Sequence, residues 1–162
     1  GSLDFIYKSN YGEFIEKAKT IYARYADKIV LPADLGYVEN GVRRECRIGA
    51  VPTEICAVDI GSETARQYES IILAAKTVFV NGPMGIFEQP ETELGTKTVF
   101  EALGNTAGYT VVGGGDSVTA AAKYQVKDKL GYVCTGGGAL IRFLTGEELP
   151  VVKALRHAAA AL

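Results

Sequence analysis

Apolar residues along this chain recur at two spacings, which alternate from the first third of the sequence to its end. Positions three and four residues apart predict helices at 14–25, 62–75 and 96–103, from Ser117 onward and after Gly138. Short apolar runs rich in β-branched residues predict strands at 28–31, 77–80, 109–112 and 132–135. Fully apolar strands between helices are typical of a three-layer α/β fold: a mostly parallel, Rossmann-like sheet with helices on both faces.

The segment 39–44 predicts an exposed turn that leads into a second strand. This strand carries charged residues on one side. We therefore expect this strand at a sheet edge. No repeat, low-complexity tract or long linker divides the sequence, so residues 1–162 are predicted to form a single domain, with Gly1 and Ser2 set aside as the remnant of an expression tag.

Composition limits the classes of function. The 162 residues are 48% hydrophobic and 22% charged, which is typical of one globular domain with a substantial core. A formal net charge of −2 argues against a broad electrostatic surface for nucleic acid. No apolar run approaches the length of a membrane span, and no signal peptide is visible, so we expect no membrane partner and a cytoplasmic location.

Cysteine and histidine usage argues against a zinc site. Cys46, Cys56 and Cys134 are odd in number, lack C-x-x-C spacing and lie in apolar or strand-like surroundings. We expect them to be reduced, buried thiols of a cytosolic protein. His157 is the only histidine and lies near the chain end, where a helical surface position is expected rather than a ligand role.

Two triple-glycine turns carry the first candidate chemistry. The first, at 113–115, is followed by Asp116 and Ser117, and the second, at 136–138, lies between Thr135 and Ala139. Each stands between a predicted strand and a predicted helix, where backbone N–H groups and the positive helix end can approach a phosphate. Consecutive parallel strands place such loops in one crevice, so the two turns predict one shared site.

Other interpretations of these turns must be weighed. A single glycine-rich turn also serves as a helix cap or tight corner. Val118 stands where G-x-G-x-x-G would need a third glycine, and no G-x-x-x-x-G-K-[ST] occurs. Asp116 favours a Mg²⁺-nucleotide site, because a carboxylate beside bound phosphate requires a cation between them. The alternative for Asp116 is an N-cap, a position for which Ser117 also competes.

A third segment, residues 81–88, follows the strand predicted at 77–80. Its glycines and Pro83 restrict the backbone, while Pro83, Ile86 and Phe87 offer an apolar wall and Glu88 a terminal acceptor. This combination suits adenosine, since a carboxylate can accept both ribose hydroxyl protons and apolar side chains can cover a base. An ordinary packed loop is the alternative.

The order of these motifs resembles the C-terminal half of phosphoglycerate kinase. The resemblance is carried by residues 81–88, 95–96, 113–117 and 135–139, with further matches at 28–34, 59–64 and 149–155. It extends over nearly the whole chain from about Phe14. Any one motif alone would be weak, but several in the same order are specific.

The resemblance implies a domain that holds Mg-ADP or Mg-ATP while a phosphoryl group passes to or from 1,3-bisphosphoglycerate. It places Asn81 near the polyphosphate, Pro83 and Ile86 beside the adenine, and Glu88 on the ribose. The remaining implied nucleotide contacts are Gly113, Gly114, Gly115, Asp116 and Ser117. Asp116 would hold Mg²⁺. The main-chain groups of Gly114, Gly115, Gly137 and Gly138 would face the transferring phosphate, as expected for a reaction that depends on oriented amides and a metal.

Parts of the family pattern are missing. The sequence lacks the upstream Gly-Gly-Ala-Lys segment and the glycine-rich adenine wall, so the sheet is expected to be incomplete at its N-terminal side. It also lacks the N-terminal domain, through which 3-phosphoglycerate or 1,3-bisphosphoglycerate would bind. We therefore expect an inactive fragment of a kinase whose exposed sheet edge favours self-association.

Two other functions stay open from the sequence. A dinucleotide-dependent oxidoreductase would also have glycine-rich turns, but it should show the complete fingerprint in its first βα unit. A non-catalytic α/β scaffold or interaction module with residual nucleotide contacts would share every motif above.

Overall fold

The computed structural model describes residues 2–160 and confirms an α/β architecture. Within that range the helices are α1 (Ser2–Lys8), α2 (Phe14–Tyr25), α3 (Ser62–Ala74), α4 (Leu94–Asn105), α5 (Gly115–Lys123), α6 (Gly137–Leu144) and α7 (Pro150–Ala160). The strands are β1 (Asp34–Glu39), β2 (Val42–Arg47), β3 (Asp59–Ile60), β4 (Thr77–Asn81), β5 (Tyr109–Gly113) and β6 (Tyr132–Cys134). Gly1 lies outside the described residues, while Ser2 begins α1 and its Oγ accepts a hydrogen bond from the Ala57 N–H.

Strands β4, β5 and β6 form a parallel sheet in that order, as their apolar runs predict. Val80 lies opposite Val112 in the register, and both side chains point into the core. Helices α3, α4 and α5 cover this face of the sheet with Ile72, Phe100, Leu103 and Ala120 among others. This cover explains why Val80, Thr110 and Val112 on this side are buried, while Val78 near the start of β4 is half-buried.

The opposite face of the same sheet is less completely covered. Gly113 of β5 faces this side, because it alternates with the core residue Val112. A Cβ built on Gly113 would lie 3.0 Å from Leu140 Cδ2, so Leu140 of α6 packs on this side of the sheet. Phe79, Tyr109 and Tyr132 also belong to this face and are 42%, 55% and 54% exposed. Helices therefore lie on both faces of the sheet, but only one face carries a continuous core.

The remaining strands form a separate antiparallel sheet in the order β2-β1-β3. A two-residue turn joins β1 to β2, with φ of 51° at Asn40 and 75° at Gly41. Positive φ at both positions is the geometry of a type I′ hairpin turn, for which Asn-Gly is a preferred sequence. The predicted exposed turn and edge strand are thus confirmed.

Buried polar contacts attach α3 to the antiparallel sheet. The Asp34 carboxylate accepts hydrogen bonds from the N–H groups of Glu63 (3.0 Å) and Thr64 (2.8 Å) in the first turn of α3. Burial alone would raise the pKa of Asp34, but the hydrogen bonds from Thr64 and Glu63 outweigh it and hold the pKa below its ordinary value. Asp34 therefore acts as a cap supplied from a distant strand.

The strand predicted at 28–31 is wrong. Residues Ala26–Lys28 form a 3-10 turn, and the chain from Ile29 to Ala33 is extended without pairing to any described strand. It contacts the fold through hydrogen bonds from the Tyr68 hydroxyl to the Val30 carbonyl (2.9 Å), from the Ala33 N–H to the Thr64 hydroxyl (3.0 Å) and from the Ile48 N–H to the Ala33 carbonyl (3.2 Å). An apolar, β-branched run becomes a strand only beside a partner, and no described strand lies next to this one.

The cysteines and the histidine agree with the sequence in part. Cys46, Cys56 and Cys134 are free thiols, but they are half-buried rather than buried. His157 lies exposed on α7, as expected for a helical surface position.

Candidate functional site

The two triple-glycine turns meet at the carboxyl ends of β4, β5 and β6. The Gly114 N–H donates to the Cys134 carbonyl (3.1 Å), which continues the pairing of β5 with β6 into the turns. A Cβ built on Gly137 would lie 2.7 Å from Gly114 Cα and 3.0 Å from Asn81 Oδ1. The side chain of Asn81 and both turns therefore converge on one place, as the sequence predicts.

Glycine is required where these turns touch. Gly114 has a φ of 96°, a conformation that other residues rarely adopt. Gly137 is buried against the Gly114 backbone, so even a methyl group would overlap main-chain atoms. The absence of side chains allows the two strand ends to lie in direct contact.

Two helices begin at this place with their N-termini uncapped by side chains in the described structure. Gly114 is the N-cap of α5 and Gly136 is the N-cap of α6, so neither Asp116 nor Ser117 is the N-cap. Apart from the adjoining residues and the backbone of the same helix, no described atom lies within 4 Å of a Cβ built on Gly115 or Gly138. The first turns of both helices thus present an open side, where their partial positive charge favours an anion.

The residues after Gly115 divide into an exposed and a buried one. The Asp116 side chain is exposed in the first turn of α5, where it can reach a cation. Ser117 is fully buried, and its Oγ accepts a hydrogen bond from the Gly82 N–H (2.7 Å). Ser117 therefore joins the first glycine turn to the segment that follows β4.

Residues 81–88, called the β4 loop below, are held by hydroxyl groups from the chain around α4. The Thr96 hydroxyl accepts the N–H groups of Met84 (3.1 Å) and Gly85 (3.2 Å), and the Thr92 hydroxyl donates to the Ile86 carbonyl. Both threonines are almost completely buried. The backbone of the β4 loop is accordingly fixed before any ligand binds.

The side chains predicted to contact a nucleoside differ in exposure. Ile86 and Glu88 are exposed, Pro83 is half-buried, and Phe87 between them is 4% exposed and belongs to the core. Phe87 is thus part of the support of the β4 loop rather than of its outer wall. Ile86 and Glu88 remain available to a ligand.

A buried ion pair that the sequence did not reveal supports the same region. Arg43 donates to the Asp59 carboxylate (2.9 Å), which also accepts the Gly95 N–H at the start of α4 (3.0 Å). Burial raises the pKa of Asp59 despite the hydrogen bonds from Gly95 and Arg43 that oppose it. A Cβ on Gly85 would lie 2.6 Å from the Val58 carbonyl oxygen, so the β4 loop packs directly against this network.

A second unforeseen contact ties α5 to the β4 loop. The Lys123 ammonium donates to the Phe87 carbonyl and lies 2.7 Å from Glu93 Oε2. The Tyr124 hydroxyl donates to the same Glu93 oxygen (3.1 Å). Because 36 residues separate Lys123 from Phe87, only the packing of α5 reveals this contact.

The donor set at the glycine turns is compatible with Mg²⁺ held mainly by a ligand. No cluster of three or more His, Cys, Asp or Glu that could hold a metal occurs within residues 2–160. Asp116 supplies one exposed carboxylate beside the open helix ends. Mg²⁺ is commonly bound by one or two carboxylates together with substrate phosphates and waters, and this arrangement fits that pattern.

Comparison with known proteins identifies a single family. A family model described as phosphoglycerate kinase matches residues 5–147. The chain is 39% identical to phosphoglycerate kinase of Methanothermus fervidus over 153 residues, which are 94% of this chain and 37% of that protein. It is 46% identical to the enzyme of Akkermansia muciniphila over 136 residues, which are 79% of this chain and 34% of that protein.

The fold agrees with solved structures of the same name. The phosphoglycerate kinase structure from Pyrococcus horikoshii OT3 matches with a TM-score of 0.89 at 32% identity and covers 99% of this chain and 40% of its own. The structure from Coxiella burnetii matches with a TM-score of 0.80 at 31% identity, over 88% and 38%. The chain thus spans about two fifths of the length of these relatives. No described helix is long and apolar enough to cross a membrane.

Proposed function

Because the chain belongs to the phosphoglycerate kinase family, we propose that its two glycine turns and β4 loop form the nucleotide side of a kinase site. The proposed ligand is Mg-ADP or Mg-ATP. The reaction of the whole protein is the reversible transfer of a phosphoryl group between 1,3-bisphosphoglycerate and ADP, in glycolysis or gluconeogenesis in the cytoplasm. The observation that carries this proposal is the convergence of Asn81, Gly114 and Gly137 below two open helix N-termini.

The phosphate chain is proposed to lie along the open ends of α5 and α6. The backbone N–H groups of Gly115 on one side and of Gly138 on the other would donate to phosphate oxygens. The main chains of Gly114 and Gly137, whose own N–H groups donate to the Cys134 and Thr135 carbonyls, would hold the two turns in place beside the phosphates. Because Gly113 has no side chain, the end of β5 can pass close to Leu140. Asn81, at the end of β4, would donate its side-chain amide to a phosphate oxygen. Fixed donors of this kind stabilise charge in the transition state without reorganising.

The nucleoside is proposed to lie against the β4 loop. Pro83 and Ile86 would cover the adenine, and the exposed Glu88 carboxylate would accept the ribose hydroxyl protons. Ser117 would act here by holding Gly82, which fixes the β4 loop relative to the phosphate site. The distance between the two halves of the nucleotide site would then be set by α5 itself.

The exposed Asp116 carboxylate is proposed to hold Mg²⁺, because it lies next to the position assigned to the phosphates. When bound, the metal would neutralise negative charge on the phosphate oxygens. The protein supplies no covalent intermediate in this scheme. Its own groups orient the nucleotide and direct the helix ends toward the phosphates.

Titration of Mg-ADP into the chain tests this proposal by NMR. We expect saturable shifts of the amides of Asn81, Glu88, Gly114, Gly115 and Asp116. The Asp116→Ala variant should bind Mg-ADP about tenfold more weakly, since it loses a charged contact of about 1.4 kcal/mol. It should also lose the difference in affinity between ADP with Mg²⁺ and ADP with EDTA.

Asp128→Ala, which removes an exposed carboxylate beyond the far end of α5, is the matched control and should bind like the unchanged chain. Absence of any shift at millimolar Mg-ADP would contradict nucleotide binding by this chain. Equal effects of Asp116→Ala with and without Mg²⁺ would contradict the metal role of Asp116.

The 162-residue chain by itself is expected to show no turnover. The resemblance assigns binding of 3-phosphoglycerate to a separate domain, and without a positioned acceptor the advantage of proximity is lost. The measurement is a coupled assay of ADP formation from ATP and 3-phosphoglycerate. An Asp116→Ala sample purified in parallel identifies contaminating kinase, and activity present only in the unchanged chain would contradict the expectation.

A further inference from the structure

Helix α5 contacts the β4 loop at both of its ends. Near its N-terminus the Ser117 hydroxyl accepts the Gly82 N–H, and at its last residue Lys123 donates to the Phe87 carbonyl. The same helix begins at the first glycine turn. The phosphate and nucleoside sides of the proposed site therefore share one rigid connection.

Two oxygen atoms contact the Lys123 ammonium, the Phe87 carbonyl oxygen and Glu93 Oε2. Glu93, which immediately precedes α4, lies 2.7 Å away, and the Tyr124 hydroxyl donates to the same carboxylate oxygen. The side chains of Lys123 and Glu93 are 36% and 24% exposed, so water screens this pair less than a fully exposed one. The hydrogen bond from Lys123 lowers the pKa of Glu93, which keeps its carboxylate ionised near neutral pH.

The contacted carbonyl is well placed to orient the ribose-binding carboxylate. The Phe87 side chain is held in the core. Lys123 holds the Phe87 carbonyl, which belongs to the peptide group that joins Phe87 to Glu88. Glu88 itself is exposed. The direction of its side chain consequently depends on how the preceding peptide group is held.

We propose that Lys123, paired with Glu93, is a positioning residue that holds the Phe87–Glu88 peptide in the orientation needed to bind the ribose of a nucleotide. This inference rests on the proposed function. Lys123 acts through the β4 loop and does not touch the ligand. Its loss should weaken recognition of the nucleoside but leave recognition of phosphate unchanged.

The first test needs no ligand. In Lys123→Met, which keeps the aliphatic stem, we expect amide hydrogen exchange at Ile86 and Thr92 to increase about tenfold, because their N–H groups donate to the Val58 and Gln89 carbonyls on either side of the backbone that Lys123 holds. Exchange at the core residue Val112 should stay unchanged. Lys123→Arg should restore most of the protection, since it can donate to both oxygens.

The second test separates the two sides of the site. Lys123→Met should weaken Mg-ADP about tenfold and leave Mg-pyrophosphate, which has no nucleoside, within about twofold of the unchanged chain. Glu93→Gln should show the same selectivity to a smaller extent and replaces Lys123→Met if that variant does not fold. Lys127→Met, at an exposed lysine four residues further on, should change neither affinity.

Unchanged exchange at Ile86 and Thr92 would overturn this inference, as would equal weakening of Mg-ADP and Mg-pyrophosphate. If the unchanged chain binds no Mg-ADP, the proposed function fails instead. The exchange experiment still decides in that case whether Lys123 holds the β4 loop.

Discussion

The lack of a side chain at one position decides how closely the ends of β5 and β6 approach at the proposed phosphate site. Gly137 packs against the backbone of Gly114, whereas Gly138, one position further on, faces open space in the described structure. Their neighbouring positions in one helix turn make them a matched pair. Within the second triple-glycine turn, packing therefore requires glycine at Gly137 and not at Gly138.

Gly137→Ala is expected to destabilise the chain by about 1–3 kcal/mol, because its methyl group would overlap main-chain atoms. Gly138→Ala should be neutral or stabilising by up to about 1 kcal/mol, since alanine is favoured over glycine in a helix. Urea unfolding of both variants measures the difference. Equal stabilities would show that the two turns are not in contact.

Whole helices in this fold depend on acceptors supplied from other parts of the chain. The first turn of α3 is capped by Asp34, nearly thirty residues earlier, and the start of α4 donates to Asp59. These two carboxylates have opposite pH behaviour, because hydrogen bonds lower the pKa of Asp34 while burial raises that of Asp59. Protonation at low pH therefore removes stabilisation at Asp34, whereas at Asp59 it relieves the cost of burying a charged carboxylate.

Asp34→Asn is expected to cost about 1–2 kcal/mol at pH 7, because it weakens the cap of α3. The folded pKa of Asp34 lies below its unfolded value, so its contribution is present above the unfolded pKa and is lost as pH falls through the folded one. The difference in the free energy of unfolding between Asp34→Asn and the unchanged chain should consequently shrink below about pH 5.

Urea unfolding between pH 7 and 3 measures this convergence. Asp128→Asn, at an exposed position, is the control and should follow the unchanged chain. Asp59 titrates in both chains and cancels from the comparison. A difference that stays constant with pH would contradict the capping role of the ionised carboxylate.

Within the described residues, the parallel sheet exposes one edge and part of one face. No described strand pairs with the outer side of β4, and Phe79 of that strand is 42% exposed together with Tyr109 and Tyr132. Unpaired backbone groups beside apolar side chains favour association between sheets. The family relatives are more than twice as long as this chain.

We expect the chain to self-associate through β4. Light scattering over a concentration series should show a mass that rises with concentration, and Phe79→Lys should shift the transition at least about tenfold higher. Tyr11→Lys, at a residue that is 56% exposed between α1 and α2, should leave the mass unchanged. A monomer at every concentration would contradict this prediction.

Much of the fold could be predicted because its signals are local. Helical spacing, apolar runs and the Asn40-Gly41 turn depend on residues close in the chain, and, apart from one apolar run, the predicted helices, strands and turn appear near their expected positions. The run at 28–31 failed because strand formation also needs a neighbouring strand, which no local pattern can provide.

The sequence by itself determined the family, the α/β class and the position of both glycine turns at strand ends. Residue spacing and the positions of glycines, which have no side chain, can be read directly from the sequence. Only the tertiary structure decided that Gly137 touches Gly114, that Ser117 is buried on Gly82 and that Lys123 reaches Phe87. These contacts join residues from 23 to 36 positions apart. Their existence depends on how the helices pack onto the sheet, a property of the whole arrangement and of no single segment.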